Sequence, residues 1–179
     1  MKILGVSGSL RAASYNTALL RAAQDVAPAG VTIEIFGLHD LPLFNEDVEA
    51  LGDPAPVTAW KTAIRSADAL LIACPEYNGG VTGVLKNAID WASRGKPQAL
   101  QGKIVCLIGA SSGVTGTVRA QDALRHSLRK VSAEYWPLSE MLVGQAQTKI
   151  EDGVLKDEKT LAYLGSHVAA FVEHVKNAR

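Results

Sequence analysis

The feature that most constrains this chain is a hydrophobic period that switches back and forth along its length. Short apolar runs that stop at a glycine or a turn alternate with segments whose apolar residues recur three and four apart. Lys2 to Ser7, Val31 to Phe36, Ala67 to Cys74 and Lys103 to Ala110 are runs of the first kind and read as strands. The third is the most apolar, as a central parallel strand covered on both faces should be. Between them, Leu19, Ala23, Val26 and Ala27 mark one face of a helix that Pro28-Ala29-Gly30 ends. Val57 to Ser66, Val84 to Ser93 and roughly Gly116 to Lys130 read as further helices, followed by a short strand near Ala133 to Trp136. Leu161, Leu164, Val168, Phe171, Val172 and Val175 define a closing helix from about Asp157 to Lys176. The segment Gly37 to Pro56 holds three of the seven prolines and fits neither period, which marks it as a cover or functional segment.

Strands alternating with helices of this length require right-handed crossovers and a parallel sheet covered on both sides. The expectation is an α/β fold: a flavodoxin-like three-layer sandwich around a five-stranded parallel sheet of order 2-1-3-4-5. In such sheets ligands bind beyond the carboxyl ends of the strands, where the order reverses. The loops that follow Val6, Ala73 and Ile108 are therefore the ones to inspect.

Composition narrows the function classes. At 179 residues and 47% hydrophobic, the chain is expected to form a single domain, 1–179, with a sizeable core. Eighteen basic residues balance eighteen acidic ones, so no global field recruits nucleic acid or an anionic membrane. The longest apolar run, Ala69 to Cys74, is six residues, well short of the ~20 that cross a bilayer. Met1 to Val6 lacks the apolar stretch of a signal peptide. Cys74 and Cys106 lie in apolar runs and read as buried thiols in a reducing compartment, so the expected location is the cytoplasm. His39, His126, His167 and His174 have no metal-ligand spacing; they read as surface or cap residues, and no metal is expected.

Each of the three loops is chemically unusual. Gly8-Ser9-Leu10-Arg11-Ala12-Ala13-Ser14-Tyr15-Asn16 runs straight into a helix. A helix start offers unpaired N–H groups and partial positive charge, Ser9, Ser14 and Asn16 add short polar donors, and Arg11 adds a full charge. That combination suits a phosphate; capping of the helix by Ser14 or Asn16 explains part of it equally well. Neither a P-loop nor Gly-x-Gly-x-x-Gly is present, which disfavours a triphosphate or a standard dinucleotide. The second loop, Cys74 to Gly83, has three glycines within five residues and an aromatic face at Tyr77. In the third, Ala110 to Gly116, Ser111, Ser112 and Gly113 can present backbone N–H groups to a ligand edge. Glu76 reads as a structural carboxylate with Arg94 as a candidate partner, and Trp91 as core or interface.

Gly8-Ser9-Leu10-Arg11 through Ser14-Tyr15-Asn16, Pro75-Glu76-Tyr77-Asn78, and Gly83-Val84-Leu85-Lys86-Asn87-Ala88-Ile89-Asp90-Trp91-Ala92-Ser93-Arg94 together resemble the NAD(P)H-dependent FMN reductase family, which includes bacterial quinone and chromate reductases. The resemblance implies that Ser9, Arg11, Ser14 and Asn16 hold the FMN phosphate, with Leu10 and Tyr15 in the same cofactor-binding loop. It implies that Pro75, Glu76, Tyr77 and Asn78 line the isoalloxazine ring, with Ser111, Ser112 and Gly113 near its pyrimidine end. The implied activity is transfer of a hydride from NADPH or NADH to FMN, which carries the chemistry, and then of electrons to a quinone in ping-pong fashion. Chromate, azo compounds and free flavin are further candidate acceptors, and a homodimer or homotetramer is the implied assembly. A flavodoxin-type electron carrier or a non-catalytic flavin sensor are the alternatives; the zero net charge argues against the carrier. The family commonly has an aromatic or small residue, then Ser, then a Pro before the next glycine. Here Gly79, Gly80 and Thr82 stand in those places, which leaves the shape of the nicotinamide and acceptor side open.

Overall fold

The computed structural model describes residues 1–137 and 140–178. In chain order the elements are β1 (Lys2–Ser7), α1 (Tyr15–Asp25), β2 (Thr32–Phe36), α2 (Glu46–Glu49), α3 (Ala55–Ser66), β3 (Ala69–Ala73), β4 (Glu76–Tyr77), β5 (Gly80–Val81), α4 (Gly83–Ala92), β6 (Ile104–Ala110), α5 (Val118–Lys130), β7 (Glu134–Tyr135), β8 (Met141–Val143), β9 (Ile150–Glu151), β10 (Val154–Leu155) and α6 (Glu158–Asn177). The main sheet is parallel with order β2-β1-β3-β6-β7, and β8 also pairs with β6. This is the flavodoxin-like order, with one difference from the expected five strands. The fifth position is shared: β7 pairs with Ile104 and Val105, and β8 with Ile108 to Ala110. Trp136 still donates to the Val105 carbonyl at 2.7 Å, but Pro137 has no amide proton to continue the ladder.

Alternation along the strands divides the core into two halves. Ile3, Leu71, Cys106 and Ile108 pack with Leu19, Leu20 and Ala23 of α1 and with Leu164, Val168, Phe171 and Val175 of α6. Leu4, Val6, Leu70, Ile72, Val105 and Leu107 pack on the opposite face with Trp60 and Ile64 of α3, Leu85 and Ile89 of α4, and Leu124 and Leu128 of α5. Each of the Leu, Ile, Val and Phe side chains contributes about 1.5–3 kcal/mol on burial, which is why these periodic positions decide where the helices lie. Among the described residues no helix is long and apolar enough to cross a membrane.

The irregular stretch after β2 is a cover on α4. The Asn87 side chain bridges the Pro42 carbonyl at 2.9 Å and the Phe44 N–H at 2.7 Å, while Trp91 Nε1 donates to the same Pro42 carbonyl at 2.8 Å. Phe44 meets the buried Trp91 ring edge to face, with centroids 5.0 Å apart. Lys61 of α3 is buried and ion-paired to Asp53 at 2.7 Å, fixing the far end of the cover.

Both cysteines are buried, as expected. His167 corrects the surface reading of the histidines. It is 3% exposed on the inner face of α6, with Nε2 3.2 Å from Cys106 Sγ and the Trp136 ring 5.0 Å away. Burial lowers its pKa to about 4, because the cation cannot be solvated there.

Candidate active site

The parallel register places the ends of β1, β3 and β6 side by side. Ser7 pairs with Ala73, and Ala73 with Ile108. The ladder continues one step beyond the strands: the Gly8 N–H donates to the Ala73 carbonyl at 3.0 Å, and the Cys74 N–H to the Ile108 carbonyl at 2.8 Å. The three loops thus leave the sheet at one edge, where the strand order reverses between β1 and β3. A cleft opens there, lined by Ser9, Arg11, Ser14, Tyr15 and Asn16 of the first loop, Pro75, Glu76 and Tyr77 of the second, and Ala110, Ser111 and Ser112 of the third. Leu10, Asn78 and Gly113 stand outside this lining.

The first loop is built from hydroxyl-to-backbone contacts. Ser7 Oγ accepts from the Ser9 N–H at 3.3 Å, Ser9 Oγ from the Arg11 N–H at 3.3 Å, and Ser14 Oγ caps α1 by accepting from the Thr17 N–H at 3.3 Å. Thr17 Oγ1 donates to Ser7 Oγ at 3.0 Å, so Ser7 and Thr17 belong to the site although the sequence reading passed over both. The spacing of Thr17 one helical turn after Ser14 was the available signal. Arg11 stacks its guanidinium 5.0 Å over the Tyr15 ring, and His39 Nε2 lies 3.3 Å from the Leu10 carbonyl. The first turn of α1 carries no acid, so its positive end is uncompensated.

Asn16 is placed at the cleft, but its side chain is engaged elsewhere. Nδ2 donates to the Ala110 carbonyl at 2.9 Å and Oδ1 accepts from the Ala110 N–H at 3.0 Å. The amide ties α1 to the end of β6 and leaves the backbone N–H of the first helical turn as the group Asn16 offers a ligand.

The second loop is a hairpin. Tyr77 pairs with Gly80 across a two-residue turn in which Asn78 and Gly79 both have positive φ, 53° and 73°. That is the type I′ turn for which Asn-Gly is the favoured dipeptide. Asn78 is therefore at the hairpin tip, and Tyr77, 58% exposed, gives the cleft an aromatic wall.

Glu76 does not pair with Arg94. Its Oε2 accepts from the N–H groups of Arg119 and Ala120 at 3.0 and 3.2 Å, and its Oε1 lies 3.4 Å from the Arg119 guanidinium. A carboxylate from the hairpin thereby caps α5, whose own N-cap residue, Thr117, makes no side-chain capping bond. Arg94, at the end of α4, faces the cover instead and pairs with Glu49 at 2.8 Å and Glu46 at 3.6 Å. The third loop is held by its neighbours: Ser111 Oγ donates to the Gly116 carbonyl at 2.6 Å, and the Gln145 N–H donates to the Gly113 carbonyl at 2.9 Å.

Residues 1–148 match the family model for NADPH-dependent FMN reductases. The chain belongs to that family. An NAD(P)H-dependent FMN reductase of Pseudomonas aeruginosa is 44% identical, covering 100% of this chain and 97% of its own length. A quinone reductase of Escherichia coli is 37% identical over 100% of this chain and 97% of the relative. Among solved structures, the flavoenzyme NAD(P)H:(acceptor) oxidoreductase FerB of Paracoccus denitrificans superposes with a TM-score of 0.88 at 35% identity, covering 98% of this chain and 97% of FerB. As a member of the FMN reductase family the chain is an oxidoreductase that uses FMN and NAD(P)H. The donor set fits that cofactor. Three hydroxyl-bearing or cationic side chains meet an uncompensated helix start, as a phosphate dianion requires, beside an aromatic wall for a flat ring.

Proposed function

We propose that this chain is a quinone reductase: residues 1–179 act as one unit that binds FMN at the carboxyl edge of the sheet and serves NAD(P)H and a quinone in turn. The carrying observation is that the cleft at the strand-order reversal is lined by all three loops and by the positive end of α1. Ser9, Arg11, Ser14 and the first N–H groups of α1 hold the phosphate. Pro75, Glu76 and Tyr77 flank the ring on one side, and Ser111 and Ser112 approach its pyrimidine edge. FMN supplies the hydride and electron chemistry when bound. The chain orients it: Tyr77 walls the stacking space, Glu76 holds the hairpin to α5, and the Ser112–Gly113 backbone presents N–H groups where negative charge grows, the Ser111 N–H being held by the Val143 carbonyl. Both substrates stack in one space beside Tyr77, because three short loops leave room for a single stacking pocket above the ring. Chromate, azo compounds and free flavin are further acceptors of the same class, a homodimer or homotetramer is the working assembly, and the cytoplasm is the working location.

The test is kinetic. Double-reciprocal plots of NAD(P)H against a benzoquinone should be parallel, with high quinone competing against NAD(P)H. Anaerobic NADPH should bleach the yellow protein within seconds. Intersecting lines would show two separate sites, and protein that stays yellow would be a carrier or sensor instead.

A further inference from the structure

Thr82, the N-cap residue of α4, is 2% exposed, yet its hydroxyl serves two partners at once. Oγ1 accepts from the Leu85 N–H at 3.4 Å, the ordinary capping contact, and donates to the Gly8 carbonyl at 2.7 Å, 74 residues away. The second bond is the shorter, and helix capping does not call for it. Gly8 is the first residue of the loop that leaves β1. It is wedged so closely that a Cβ there would lie 2.8 Å from Pro75 Cδ and 3.1 Å from Leu85 Cβ. The start of the first loop, the start of the hairpin loop and the start of α4 therefore meet at one point.

A trans peptide is planar, and its C=O and N–H point in opposite directions. Fixing the Gly8 carbonyl on Thr82 consequently fixes where the Ser9 N–H points, which is into the first loop, toward Ser7 Oγ at 3.3 Å. The anchor behind Thr82 is firm: Trp60 Nε1 donates to the Ala88 carbonyl of α4 at 2.8 Å, and Asn87 and Trp91 hold the same helix to the cover.

We infer that Thr82 is a positioning residue that aims the first loop at a phosphate and so sets the preference of this protein for FMN over riboflavin. The inference rests on the reading of that loop as the phosphate cradle. Thr82 touches no ligand; it acts through Gly8. Valine at position 82 keeps the shape but cannot donate, so the peptide between Gly8 and Ser9 is left with only the longer Ser9 N–H to Ser7 Oγ contact at 3.3 Å and the cradle loses part of its aim. The ring side, held by Glu76 on α5, is unaffected.

The experiment measures dissociation constants of the apoprotein for FMN and for riboflavin by flavin fluorescence, in the natural protein, Thr82→Val and Thr82→Ser. The natural protein should bind FMN more tightly than riboflavin. Thr82→Val should weaken FMN about tenfold, the worth of one hydrogen bond, and leave riboflavin unchanged. Thr82→Ser should restore the ratio. If the valine variant does not fold, Thr82→Ala, which removes the same donor, carries the same comparison. Equal weakening of both ligands, or of neither, would overturn the inference while leaving the proposed function intact. Equal affinities in the natural protein would overturn the phosphate assignment itself.

Discussion

Arg11 and Asn16 sit five residues apart in the same loop, read alike from the sequence, and do different things in the structure. Arg11 is exposed and stacked on Tyr15 at the mouth of the cleft, free to swing onto a phosphate. Asn16 is 4% exposed and spends its amide on Ala110, a partner 94 residues away. Polar residue types near a helix start announce a cap or an anion site; they do not say which side chain the tertiary fold will claim. Arg11→Ala should raise the FMN dissociation constant about ten- to a hundredfold while leaving the rate of flavin reduction in saturated enzyme nearly unchanged. An unaltered constant in an equilibrium titration would mean that Arg11 serves only Tyr15. Gly80 belongs to the same scale. Directly paired residues of an antiparallel hairpin share a face, so a side chain at Gly80 would stand beside Tyr77. A Cβ there meets nothing closer than the Tyr77 carbonyl at 3.9 Å, and φ is not positive, whereas Gly79 at 73° would be strained by any substitution. Gly80→Leu should therefore raise KM for NAD(P)H and for quinone together at unchanged folding stability. A rise for one substrate alone would separate their binding spaces.

At the scale of elements, the long helices and buried strands follow their periodicity, and the departures all involve short pieces. A strand of two or three residues, such as β8 or β9, is too brief to show a period, and its existence depends on a neighbour that offers a ladder. The Asn78-Gly79 pair did carry a hairpin signal, because only that turn type asks for positive φ at both positions. Glu76 gives the element scale its test. Its carboxylate caps α5 mainly through the two backbone N–H groups, since the Arg119 guanidinium is well exposed and 3.4 Å away. Glu76→Ala should cost about 1 kcal/mol, or about 2–4 °C in Tm, as loss of a helix cap does. Glu76→Gln keeps an acceptor oxygen and should lose less, and Arg119→Ala should barely change Tm. A larger loss from Arg119→Ala than from Glu76→Ala would make the ion pair, rather than the cap, the working contact.

For the whole molecule, the alternation of periods was enough to specify a parallel sheet and the edge at which its loops converge. What it could not specify was the contact between distant surfaces, and His167 is the clearest case. Its place on the α6 period put it beside Leu164 and Phe171, but a histidine is usually solvated, and burial came from β6 and Trp136 closing over it. This has a consequence for acid stability. The folded protein keeps His167 neutral until about pH 4, while the unfolded chain takes up the proton near 6.5. The unfolded state thus binds more protons in between. Stability is fully present above about pH 6.5 and falls as pH drops toward 4, by a total of about 3 kcal/mol from this residue. Urea unfolding at pH 7 and 4.5 should show a smaller loss for His167→Gln than for the natural protein. Equal losses would mean that other groups carry the acid sensitivity.

The two sealed thiols make this chain a ready background for covalent labelling. Cys74 and Cys106 are 0% and 1% exposed, and burial pushes the Cys74 thiol up to about 12, so neither presents thiolate to a maleimide at neutral pH. Val114, 81% exposed on the third loop, is a natural attachment point. Val114→Cys should take up one dye per chain with no prior removal of native cysteines, which puts a fluorescent reporter a few residues from Ser111 and Ser112 and lets loop movement be followed optically during turnover.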